Sequence, residues 1–123
     1  MGVRFLKIAA VYLIVGTLLG VYMGGTEKFA LAPVHAHLLL LGWASLALAG
    51  IIYHLHPAAG ETRLARIHFW MHNLALPVFM AALAALLSGN PGAGPVVGIG
   101  SLVMFAGLLV FGINVLVHVR APA

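Results

Sequence analysis

The chain has 123 residues, 63% of them hydrophobic and only 7% charged, with two acidic residues and no cysteine. Soluble domains carry about a quarter charged residues, so this chain cannot clothe itself in a polar surface and reads as an integral membrane protein. The missing cysteines exclude disulfides and thiolate metal sites, and six Lys and Arg spread over segment ends form no nucleic-acid patch.

In chain order, a basic start leads into the first apolar run. The run is too long for a typical signal-peptide core and has no small-residue cleavage site after it, so it reads as the first membrane helix, Arg4–Gly24. Leu6 stands where a myristoylation signal needs Ser or Thr. Gly16, Gly20 and Gly24 recur at four-residue spacing, which allows close backbone approach inside the chain or between copies. After "GGTEKFALAP" comes helix two, Pro33–His56, with an H-x-H pair at each end: His35/His37 and His54/His56. "PAAGETR" leads to helix three, Leu64–Ser88, which carries His68 and His72 and in which Pro77 is expected to introduce a kink. "GNPGAGP" leads to helix four, Pro95–Val119, with His118 near its end.

Each run is long enough, at about 1.5 Å per residue, to cross ~30 Å of hydrocarbon. Short loops make sequential helices antiparallel neighbours, so the expected fold is all-α: one four-helix transmembrane bundle without a second domain. Arg4, Lys7, Arg63, Arg66 and Arg120 fall at one end and only Lys28 at the other. The excess of positive charge puts both termini in the cytoplasm, and the expected location is a prokaryotic inner membrane.

Ionisable groups within a membrane are costly and mark function by default. Placed by helical rise, His37 lies ~12 Å to the outer side of the midplane, and His54, His68 and His72 lie ~13, ~12 and ~6 Å to the inner side. His35 joins the outer layer, while His56 and His118 join the inner one at the rim. The rings of an H-x-H pair point nearly opposite ways, whereas His68 and His72, four apart, share a face. The inner set is therefore a candidate cofactor or metal site (His54, His68, His72, His118). The competing expectation is plain hydrogen bonding of His68 and His72 to Asn73, Asn114 or a backbone carbonyl, with His56 and His118 as interfacial residues.

The pattern H-x-H-x4-G-W-x6-G-x2-Y-x-L-x-P is present as His35, His37, Gly42, Trp43, Gly50, Tyr53, Leu55 and Pro57. It resembles the tenth helix of the catalytic subunit of haem–copper oxidases, above all the cbb-type. His68, Phe69 and Trp70 resemble the opening of the next oxidase helix, so the likeness covers roughly helices two and three, and small four-helix members of the superfamily are the nearest comparison. The resemblance implies haem b, with His35 matching the ligand of the high-spin haem and His37 an axial ligand of the low-spin haem. The remaining oxidase ligands, a second low-spin histidine and three copper histidines, have no counterpart here, so the chain is not a complete oxidase on its own.

His37 and His72 are separated along the membrane normal by ~18 Å on these depths, too far for one iron. The second axial ligand is therefore expected from another copy, with a dimer favoured and a trimer as the alternative, or from another ligand type such as Met23. Electron transfer or binding of O2 or NO is the expected function, with an unidentified redox partner. The inner histidines would suit a second haem, copper or zinc. Two alternatives remain: a histidine-based copper or zinc handling protein, disfavoured by the lack of intramembrane Asp and Glu, and a cofactor-free accessory or assembly subunit.

Overall fold

In a computed structural model that describes residues 1–121, the apolar runs form four helices, each long and apolar enough to cross a membrane. They are α1 (Gly2–Thr26), α2 (Ala32–Leu55), α3 (Arg63–Leu87) and α4 (Gly94–His118). Local chemistry sets their ends. α1 stops where Glu27 turns left-handed, at φ 55°. α2 stops at His56, which is extended because Pro57 follows it, and a single helical turn at Pro57–Gly60 leads on. The Thr62 hydroxyl caps α3 by accepting the Ala65 N–H at 3.0 Å. α3 ends in a Schellman motif: Gly89 sits at φ 97°, its N–H bonds Leu86 O, and the Asn90 N–H bonds Ala85 O at 3.0 Å. The helix runs unbroken through Pro77.

α1 packs along α2, and α3 along α4, as two antiparallel hairpins. Two buried clusters join the hairpins. Toward the end that carries Met1, Phe5 and Ala9 of α1 meet Leu46, Ala49 and Tyr53 of α2 and Ala65 of α3, with Phe111 of α4 against them. Toward the opposite end, Val34 and Leu38 of α2 meet Leu76, Phe79 and Met80 of α3 and Met104 of α4.

α2 departs from a regular helix. Its buried residues Val34, Leu38, Gly42 and Leu46 come in steps of four. On a straight α-helix three such steps would drift by about 120° around the axis. The chain absorbs that drift by winding Leu38–Ala44 as a π-helix, in which the Ser45 N–H reaches back to Leu40 O. The Ser45 hydroxyl bonds the same oxygen at 2.7 Å. Such turns take in one extra residue and cluster at functional sites.

The glycine stripe of α1 is used within the chain. A Cβ on Gly16 would meet Leu39 at 2.8 Å, and one on Gly20 would meet the His35 ring at 2.7 Å, while one on Gly24 would find nothing within 4 Å. Gly20→Ala should therefore lower stability by about 1–3 kcal/mol through overpacking. Gly24→Ala should be neutral or stabilising, by up to about 1 kcal/mol of helix propensity. Denaturant unfolding in detergent micelles measures both, and equal losses would contradict this packing.

Candidate functional site

The seven histidines sort by their hydrogen bonds. His68 and His72 are fully buried on one face of α3, four residues apart. His72 Nε2 lies 2.8 Å from Leu41 O across the bundle. A carbonyl oxygen only accepts, so His72 carries its proton on Nε2 and its Nδ1 is bare. That bare nitrogen, 3.1 Å from His68 Nε2, accepts the His68 N–H. His68 Nδ1 is then bare in turn and accepts the Tyr53 hydroxyl at 3.1 Å. The Tyr53 oxygen accepts an Asn114 Nδ2–H at 3.3 Å, and the second Asn114 N–H goes to Ala59 O at 2.9 Å. Thr62 Oγ1 lies 3.0 Å from Asn114 Oδ1 and closes the chain at the Met1 end. The result is one directed line of hydrogen bonds, Asn114 to Tyr53 to His68 to His72 to Leu41 O, running from the cap of α3 into the middle of the bundle.

Aromatic rings hold the middle of this line. Phe5 and Phe111 stack on His68 with centroids at 5.0 and 4.8 Å, and Tyr53 meets it edge-on at 5.9 Å. The line crosses α2, α3 and α4, with α1 supplying Phe5. Both nitrogens of both imidazoles are used, so neither is free for a metal unless this line breaks.

His35 and His37 are held in the opposite tautomer. His35 Nδ1 lies 2.8 Å from Gly16 O of α1, and His37 Nδ1 lies 2.6 Å from Pro33 O of its own helix. Each donates its Nδ1–H to a carbonyl, which leaves each Nε2 with a free lone pair. This is the arrangement metal-ligating histidines adopt, with the second nitrogen anchored by a backbone carbonyl. The two rings serve different neighbours: His35 lies against Gly20 of α1, and His37 meets Phe79 of α3 edge-on at 5.6 Å. Both side chains are half-buried.

The other histidines are not gathered with them. His54 is exposed, beside Gly2. The His56 carbonyl accepts the Ala59 and Gly60 N–H groups in the turn after α2. Among the described residues, His118 Nδ1 is buried without a partner, as is Asn73 Oδ1, whose amide N–H goes to Phe69 O. Among the described residues no three His, Cys, Asp or Glu side chains converge as a metal site, so the inner set of His54, His68, His72 and His118 is not assembled within the chain. Met23 is buried in the bundle. Three roles escaped the sequence-based expectations: Tyr53 as the donor to His68, Thr62 as the end of the line, and the Leu41 carbonyl as its terminus. No protein-family model, curated protein or solved structure matches the chain, and the oxidase resemblance stands on its sequence pattern alone.

Truncating the line should be costly because orphaned groups in an apolar interior lose about 1–3 kcal/mol each. His68→Leu strands the Tyr53 hydroxyl and His72 Nδ1, and Tyr53→Phe strands His68 Nδ1 and one Asn114 N–H, so the two single variants should cost about the same. The double variant should cost less than the sum, since the two changes remove one shared bond. Unfolding in micelles reads all three, and strict additivity would contradict a connected line.

Proposed function

We propose that this chain is an integral membrane haem b protein of the haem–copper oxidase-like superfamily, built for electron transfer or for binding a diatomic gas such as O2 or NO. The observation that supports it is the shared state of His35 and His37, each anchored through Nδ1 to a carbonyl with Nε2 open. The sequence pattern around them points the same way. The donor set fits a haem: an imidazole is an ordinary axial ligand, and the bundle orients two of them. Bound there, the iron would supply one-electron exchange or a gas-binding position.

Among the cavities on the described residues, three (about 270, 310 and 460 Å³) open near the Met1 end and one (about 290 Å³) lies between α3 and α4. His35 and His37 line none of them. His35 and His37 would hold the group, with a further ligand expected from another copy, a dimer before a trimer. The excess of basic residues at the Met1 end supports a cytoplasmic position for that end, with the His35/His37 end on the outer side of a prokaryotic inner membrane.

A cofactor-free accessory role is the second reading, favoured by the saturated bonding of His68 and His72. The visible spectrum of protein purified in detergent after haem-replete expression separates the two. A Soret band that His37→Ala largely abolishes and His68→Gln leaves in place is expected, together with a multimer on size-exclusion chromatography with light scattering. A colourless protein under the same conditions would overturn the haem assignment and leave the accessory role.

A further inference from the structure

We infer that His72 is a positioning residue for His35 and His37, acting through the π turn of α2. The functional meaning of this inference rests on the haem proposal, while its geometry does not.

The π turn and His72 meet at one atom. In a regular α-helix Leu41 O would accept the Ser45 N–H, four residues on. Here that N–H goes to Leu40 O, and His72 Nε2 donates to Leu41 O instead. A helical carbonyl that gives up its usual donor in an apolar interior needs a replacement, and a side chain from a neighbouring helix can supply it. His72 is itself locked by the bond from His68, and His68 by Tyr53 and the two phenyl rings. The donor is therefore preorganised by its α3 neighbour His68, which Tyr53 of the inner half of α2 and the rings of Phe5 and Phe111 hold in place.

The consequence reaches the outer histidines because one extra residue turns everything on its far side by about 100° around the axis. With the π turn, His35 reaches Gly16 O over Gly20, Leu39 covers Gly16, and His37 faces Phe79. Rewound as a continuous α-helix, the outer half would swing Leu39 off Gly16 and His35 off its carbonyl. The directions of both free Nε2 atoms thus depend on a hydrogen bond made one helical turn deeper, by a residue that need not touch the cofactor.

The absence of native cysteine makes the phase measurable. In Gly16→Cys/Leu39→Cys, shortening residue 39 makes room for the new Cβ, and the pair reports whether the outer half of α2 keeps its rotation. Oxidative cross-linking, scored by mass as thiols protected from maleimide, should be fast in this parent. His72→Leu should slow it by at least about fivefold, the effect of losing one kilocalorie-scale contact. His72→Gln, whose amide can donate to Leu41 O and accept from His68, should restore it. Ser45→Ala should change it by less than about twofold, because Leu40 O keeps the Ser45 N–H and the lost hydroxyl bond is exposed. Should His72→Leu fail to fold, Tyr53→Phe keeps the ring and loosens the line, and should slow cross-linking in the same direction.

Parent-rate cross-linking in the folded variants would overturn the inference. In haem-loaded protein without the cysteine pair, His72→Leu should also alter the axial-ligand signature in electron paramagnetic resonance, and His72→Gln should recover it. An unaltered signature would count against positioning. A wild-type protein without a Soret band would remove the haem proposal and leave the cross-linking result to decide the geometry.

Discussion

The hydrogen bond from His72 to the Leu41 carbonyl is the contact from which the rest of the interior is ordered. It exists because α2 carries its buried residues at a spacing wider than an α-helix allows, and the π turn that corrects the phase releases a carbonyl from its usual donor. In water such a group would be hydrated at little cost. Between apolar helices it must be met by a protein donor. Once Leu41 O is met by His72 Nε2, the proton positions of His72, His68 and Tyr53 follow one after another, since each acceptor fixes the next donor. Buried polar networks of this kind help only when every member is satisfied, and in this line each side chain has its partners.

The histidines therefore divide by chemistry rather than by depth alone. His68 and His72 form a closed pair, neutral and fully bonded, which ties α2 to α3 and, through Asn114, to α4. His35 and His37 form an open pair, each with one nitrogen fixed and one free. The closed pair suits a structural role and the open pair suits ligation. The same residue type is thus held in two different tautomers in one small bundle. The glycines of α1 belong to the same design: Gly16 and Gly20 admit Leu39 and His35, and the carbonyl exposed in that groove is the one His35 bonds.

Much of the fold was legible in the residues. The turn formers around Pro57, Gly60, Gly89 and Pro91 bound four spans, and those spans agree with the helices to within two residues at each end. The pairing of His68 with His72 followed from their spacing, and a backbone carbonyl was among their expected partners. The identity of that carbonyl was not readable, because it depends on which helical oxygen loses its donor. The signal was nevertheless present: Val34, Leu38, Gly42 and Leu46 recur every four residues, a period no straight α-helix sustains on one face. The inner set of His54, His68, His72 and His118 was grouped by depth alone. Depth along the membrane normal placed His54 and His118 beside His68 and His72, but it says nothing about direction around each helix, and His54 points away to the surface beside Gly2. Tyr53 was visible only as part of a pattern, since a hydroxyl's partner lies on another helix.

Nitrogen-15 magnetic resonance on histidine-labelled protein in lipid bilayers tests this division most directly, because the ring shifts report which nitrogen carries the proton. The account predicts His35 and His37 protonated at Nδ1, and His68 and His72 neutral and protonated at Nε2. Nδ1–H at His72, or Nε2–H with a bare Nδ1 at both His35 and His37, would contradict it.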